Sequence, residues 1–422
     1  MRSRLGLLVA GALALASTHA AAAAVIPQGG ELAVSRTSNS QGKDPSPAFG
    51  PGGSSLVVWA DTVRGVRGQL YAASGAKAGP VLDLVVNQAP SIPGEGPARL
   101  ALEPAAVFLP DGGFLLAWAE ERGHMRVAPF FQHFDVAQRR VFVRRFDASG
   151  AAAGRVQNVS SATDLLESWP RLHRLDNGRV LAAWRSERAT DATSAGDGLL
   201  ARQLNPQGRS IGSELRISAE GDGAARYVTF AEAPGGQVLL AWEGCCDAGG
   251  DLGIYVRAYD AAAQGFGPIH QVNLETAQKQ RRPAIAPAGE DGFLVLWQGI
   301  IDRSTGRIFG RFVELDGKGS GTQFQVSHGF STVQQAPALA AKPGGGFVAV
   351  WRDWVTVYPG ISAIELDAAG QPAGEPFRLH DRGLQKSDRT YLATDGAGTF
   401  LVPWEKGFRG RPSIGARRLV SE

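Results

Sequence analysis

The sequence predicts an all-β fold, a seven-bladed β-propeller with four antiparallel strands per blade, and three observations carry that expectation. Seven tryptophans recur in one context, turn residues recur at matching offsets around them, and the two ends of the mature chain are complementary fragments of one repeat. The tryptophans are Trp59, Trp118, Trp184, Trp242, Trp297, Trp351 and Trp404, in SSLVVWAD, GFLLAWAE, GRVLAAWRS, GQVLLAWEG, GFLVLWQG, GFVAVWRD and TFLVPWEK. Their successive spacings of 59, 66, 58, 55, 54 and 53 residues vary as loops vary around a fixed unit. Self-similarity at such a period marks a repeat architecture.

Each strand of the unit has its own reason. The apolar run ending in Trp is the second strand, and tight turns precede it, such as 110–113 (PDGG), 175–178 (LDNG) and 343–346 (PGGG). Gly and Asn there supply the positive φ of short hairpins. The first strand is opened by Pro47, Pro104, Pro170, Pro283 or Pro337, where a missing N–H costs little. Third strands read VFVRRFD, LLARQLN, GIYVRAYD, RIFGRFVELD and ISAIELD, and fourth strands VQNVS, LRIS, HQVN, FQVS and FRLH. Four such strands, repeated, describe propeller blades. The chain stops at IGARRLVSE, a third strand without its fourth, and PQGGELAVS near the start is a turn and fourth strand. The N-terminal strand is therefore expected to complete the last blade and close the ring. A sandwich also fits alternating short strands. It does not require equal units or complementary half-repeats.

The pattern GGFxVxW, then VxxRxFDxxG, then FxVS resembles the repeats of secreted bacterial propeller proteins over nearly the whole mature chain. The resemblance implies architecture and no activity. The chain lacks the SxDxGxTW box of sialidases, the Gly-His and Trp-Asp pairing of WD40 blades, and a DxDxDG calcium motif.

Residues 1–24 read as a secretory signal peptide: Arg2 and Arg4, an apolar run over 5–16, then small residues with Ala-x-Ala cut sites. The run is too short to span a bilayer. The expectation is a secreted protein, periplasmic or extracellular, not inserted in a membrane, with residues 25–422 forming one monomeric propeller domain. Loss of the leader removes two arginines and no acids, so the formal charge falls from +3 to +3 − 2 = +1. Such a balance gives no support for nucleic-acid binding, which needs a clustered basic field.

Connections between strands two and three, and between strands four and one, share one propeller face, and here they vary while the opposite turns stay short. Function is expected on the variable face. The long segment EERGHMRVAPFFQHFDVAQRR of blade two reads as a loop bringing Phe130, Phe131 and His133 there, and blade six adds Trp354 and Tyr358. Exposed aromatics can stack on sugars or grip a peptide, or simply pack long loops down. Near the openings of the first strands lie Asp44, Glu103, Arg226, Arg281, Arg282, Asp388 and Arg389. Arg226, Arg282 and Arg389 would form a pocket for carboxylate or sulfate groups, or else exposed pairs of little worth. The seven repeated tryptophans read as packing between blades.

The only cysteines, Cys245 and Cys246, are adjacent. Neighbouring Cα atoms lie about 3.8 Å apart, closer than disulfides prefer, so a vicinal bridge strains the backbone and is tolerated where it shapes a site. It would present a sulfur-faced plate on the variable face; a bridge that merely stiffens the loop, or free thiols, are the alternatives. No HExxH, GxSxG or Cys/His couple is visible, and Glu103, Glu120, Glu167, Glu243 and the channel residue His173 are the candidates for acid–base work. The leading expectation is a non-catalytic recognition module for a carbohydrate or peptide, without cofactor or metal. A polysaccharide hydrolase or lyase using carboxylates or His at the channel mouth is the alternative, and a structural envelope component the third reading.

Overall fold

The computed structural model describes residues 24–35, 42–88, 96–128, 131–161, 165–188, 197–245, 250–302, 305–327, 333–354, 359–381, 384, 389–407 and 412–421, without the side chains of 96, 97, 124–135 and 188. These residues form 28 strands and one short 3₁₀ turn, Pro51–Gly53, in a β-propeller arrangement. Five sheets have four strands each and one has eight. The Trp242 repeat is typical: Arg226–Glu232, Val238–Gly244, Gly253–Asp260 and Gly265–Gln271 pair antiparallel in chain order. The eight-stranded sheet holds the Trp118 and Trp184 repeats, joined by the single parallel pair Leu166↔Arg139. In the closing sheet Val25–Ala33 pairs antiparallel with Ser413–Ser421, so the first strand of the chain completes the last repeat.

The repeated words have structural causes. Every one of the seven tryptophans is at most 3% exposed. Each packs on the sheet before it: Trp242 against Leu181, Ala183 and Leu199, Trp297 against Leu239 and Ala241, and Trp59 against Leu401 and Ile414 of the closing sheet. The Arg of VxxRxFD ties neighbouring sheets together. Arg202, Arg257, Arg311 and Arg417 donate to the carbonyls of Val159, Ile217, Val272 and Leu379, at 3.1, 3.1, 2.9 and 3.1 Å, each in or immediately after the preceding repeat's fourth strand. The closing polar residue of FxVS accepts an N–H from its own third strand: Ser218 from Leu199 at 3.0 Å, Asn273 from Ile254, Ser327 from Ile308 and Ser35 from Ile414, each at 2.8 Å. These contacts explain why the pattern persists while the loops vary.

The expectation of a long loop in the Trp118 repeat is corrected. Its strands are Gly96–Phe108, Phe114–Ala128 and Phe131–Phe146, so the segment extends the sheet as a hairpin beyond the propeller rim. Opposite charges face each other across it, Glu120 opposite Arg140 and Glu121 opposite Arg139, and Arg139 ion-pairs with Glu121. Such cross-strand pairs favour pairing over an irregular loop.

Candidate functional site

The first strands of all the repeats line one central cavity of about 250 Å³. Where the first strand enters in six repeats, its pairing to the Trp strand slips, for example between Lys43 and Ser46, Leu102 and Ala105, and Arg281 and Ala284. At these slips Asp44, Glu103, Trp169, Tyr227, Arg282 and Ala336 take φ values of 49, 53, 55, 59, 52 and 51°. A bulge of this kind re-aims a side chain, and a left-handed non-glycine residue is held only when its surroundings enforce it. All six stand at one constant offset before the Trp of their repeat, and Arg389 stands at the same offset before Trp404, as 59 − 44 = 297 − 282 = 404 − 389 shows. One geometric position thus carries two acids, two aromatics, two arginines and an alanine around the channel mouth. Two residues further along, most repeats have a small residue, Ser46, Ala105, Thr229, Ala284 or Ala338, which leaves the cavity open. The exceptions there are Arg171 and Tyr391.

These side chains meet across the channel. The Arg389 guanidinium, from the last repeat, lies 4.7 Å from the Trp169 ring and 4.8 Å from the Tyr227 ring. Arg282 and Arg226 lie 5.6 and 5.7 Å from Tyr227, and Arg171 lies 6.0 Å from Tyr391. Such cation–π contacts hold guanidinium planes parallel to rings without using up their donors. Carboxylates fix the bulges from behind. Glu405 accepts the Asp44 N–H at 2.8 Å, Glu243 that of Arg282 at 2.8 Å, and Glu103 that of Trp169 at 2.6 Å. Glu243 is fully buried and paired with Arg226 at 2.6 Å and Arg281 at 3.7 Å.

The electrostatics separate the titrating groups. Burial, reinforced by the Asp44 charge, pushes the Glu103 carboxyl up to about 7 against the Trp169 hydrogen bond and the charges of Arg139 and Arg389. Glu405 rises to about 7 for the same two causes. Burial, and then the charge of Asp44, pushes the Tyr391 phenol above its ordinary range. Burial and the repulsion of Arg389 lower Arg171 to about 10. At neutral pH the site therefore offers a phenol that keeps its proton and, elsewhere at the mouth, a carboxyl raised to near neutrality.

Of the residues anticipated from sequence, Arg282 and Arg389 line this cavity, as does His173, whose Nε2 lies 3.1 Å from Glu232. Arg226 stands behind it on Glu243. Cys245 is disulfide-bonded, and its N–H donates to Asp222 at 3.0 Å. Trp354 is half-buried at the end of its strand, its N–H bonded to the Val333 carbonyl at 3.1 Å. Phe131 and His133 lie on the hairpin strand Phe131–Phe146 of the Trp118 repeat. Phe130, Tyr358, Cys246 and Asp388 fall outside the described residues. Glu167 is fully buried and holds the Trp184 indole N–H at 3.2 Å, which makes it a packing residue. Sequence reasoning missed Trp169, Arg171, Tyr227 and Tyr391, although the constant offset from each Trp was there to be counted. Among the described residues, no group of three or more His, Cys, Asp or Glu is placed to hold a metal ion.

Neither a protein-family model nor any curated protein matches the sequence. Solved structures do match in fold. An ulvan lyase, a polysaccharide lyase, aligns with a TM-score of 0.58 at 9% identity, over 91% of this chain and 95% of its own. A protein of unknown function from Dyadobacter fermentans aligns with a TM-score of 0.56 at 12% identity, over 76% and 95%. The intramolecular trans-sialidase of Ruminococcus gnavus aligns with a TM-score of 0.52 at 9% identity, over 81% and 95%. The chain is thus similar in fold to carbohydrate-active β-propeller enzymes.

Proposed function

We propose that the chain is a secreted enzyme that cleaves an acidic polysaccharide at the channel mouth, by elimination across the glycosidic bond of a uronate. One observation carries this reading: Arg171, Arg282 and Arg389, from three different repeats, line one cavity with Tyr391, and the Glu103 carboxyl lies within electrostatic reach of Arg171 and Arg389. Arginines neutralise the uronate carboxylate and so acidify the neighbouring ring C–H. Glu103, titrating near neutrality, takes that proton, and Tyr391, which keeps its own, delivers it to the departing glycosidic oxygen. The rings of Trp169 and Tyr227, which flank Arg389, offer the sugar an apolar surface. The fold neighbours and this acid–base pair favour an enzyme over the non-catalytic module anticipated from sequence. A hydrolase would instead use Asp44 and Glu103 as its carboxylate pair.

Three further readings belong to this proposal. The eight-stranded sheet is read as two blades bridged at one residue pair, which gives seven blades; the constant offset between mouth residue and Trp, found seven times, supports it. Cys245 is read as bonded to Cys246, the vicinal plate expected on the variable face. Residues 1–24 are read as the leader that exports the protein.

The test is turnover of polyuronates, sulfated uronate polysaccharides and neutral glycans by the purified chain. Ultraviolet absorbance from unsaturated uronate ends, on acidic substrates alone, is the expected result. New reducing ends without that absorbance would replace elimination by hydrolysis, and no turnover across the panel would remove the enzymatic reading.

A further inference from the structure

The opposite face carries a second cavity, of about 810 Å³, at the far ends of the first strands. It is lined by the Trp59, Trp118, Trp184 and Trp404 repeats, with Phe49 and Phe108 on its wall and Arg174, Arg418, Asp395 and Ala397 around it. Its volume is that of a small-molecule site.

Arg418 is the unusual member. It is 9% exposed, its Nε has no partner, and among the described residues no hydrogen bond or ion pair holds its guanidinium. A guanidinium carries five donors and never gives up its charge, so burial without partners is costly. Other repeats show how the position is normally satisfied. Arg418 lies opposite Leu401, three residues before Trp404; the equivalent residues are Arg145 opposite Leu115, Gln203 opposite Leu181, and Glu365 opposite Val348. Arg145 is held by Asp111 and by the Pro206 carbonyl at 3.3 Å. Gln203 accepts from Arg179 at 2.8 Å and donates to the Ala261 carbonyl at 3.2 Å. Glu365 ion-pairs with Lys342. The remaining three repeats place Leu70, Ala258 and Phe312 there. Asp111 stands seven residues before Trp118, and the residue seven before Trp404 is Ala397. The last repeat has the arginine without the acid, and Ala397 lines the cavity.

We propose that this cavity is a second binding site, for a small ring-bearing organic carboxylate whose acid group occupies at Arg418 the place that Asp111 occupies at Arg145. Arg174 adds a second positive charge, and Phe49 and Phe108 give the ring an apolar wall. Asp395 is engaged with its own turn, accepting the N–H groups of Ala397 and Thr399 at 2.8 Å each. The site is independent of the enzymatic reading, being at the other end of the channel.

Calorimetry with benzoate and its neutral isostere benzamide tests it on the whole chain. Benzoate should bind at least about tenfold tighter than benzamide, the usual worth of a hydrogen-bonded charge pair. Ala397→Asp returns the missing acid and should weaken benzoate about tenfold while keeping or raising the unfolding temperature. Arg418→Gln, which copies the residue of the Trp184 repeat, should do the same to binding. Tyr391→Phe, at the mouth, should leave it unchanged. Equal affinity for benzamide, no binding of benzoate, unchanged binding in both Ala397→Asp and Arg418→Gln, or loss of binding in Tyr391→Phe would each overturn the proposal.

Discussion

Two positions of the repeat behave in opposite ways. At one, seven tryptophans are buried between sheets; at the other, a fixed offset earlier, the side chains at the channel mouth are Asp44, Glu103, Trp169, Tyr227, Arg282, Ala336 and Arg389. The offset is the same in every repeat, and six of the seven mouth residues share one backbone conformation, so the difference lies in what each position is asked to do. Close packing between sheets admits one solution and repeats it. A mouth that must recognise an asymmetric ligand needs a different group at each point of the ring. Uniformity therefore marks the scaffold, and divergence is what the proposed site at the mouth requires.

Changes on the two sides of this comparison should separate stability from activity. Deleting 25–33 removes the strand paired with Ser413–Ser421 and exposes an edge, so a loss of cooperative unfolding in calorimetry is expected. Trp242→Ala should cost about 3–5 kcal/mol in denaturant unfolding, with turnover per folded molecule retained. Tyr391→Phe should do the reverse, lowering kcat by about 10²–10⁴-fold with little change in midpoint. If Trp242→Ala abolishes specific activity, or Tyr391→Phe unfolds the chain, the division between scaffold and mouth fails.

The smallest expected effect is a pH dependence. Glu405 has a folded value of about 7 against an ordinary 4.5, so the folded state binds more protons between those values. Stability contributed by the protonated form is present below about 4.5 and is lost as pH rises through about 7. Glu405→Gln should flatten that slope in thermal melts, and an unchanged slope would show that Glu405 is not its source. Glu31 of the closing strand acts oppositely. Its hydrogen bond to His380 and its pairing with Lys406 lower it to about 2, so its contribution is present above 4.5 and fades as pH falls through about 2.

The scaffold was legible because its residues recur: a Trp, an Arg that reaches the previous sheet, and a Ser or Asn that caps a strand are words repeated at fixed offsets. Arg282 and Arg389 were legible as charges near strand openings. Arg171 and Tyr391 were not, because they stand where most repeats have Ser, Ala or Thr, and only the fold shows that this position lines the cavity. The hairpin at Phe131–Phe146 was misread as a loop because its Gly, Pro and His resemble loop composition. Its cross-strand charge pairs become visible only once the register is known.

Whether the divergent ring at the mouth is the reacting site is tested most directly by a crystal structure of Tyr391→Phe soaked with an unbranched uronate oligosaccharide. The expected result is a sugar ring over Trp169 or Tyr227, its carboxylate within hydrogen-bond distance of Arg171, Arg282 or Arg389, and its glycosidic oxygen facing position 391. An oligosaccharide seated on the hairpin or on the short-turn face, with the mouth unliganded, would contradict it.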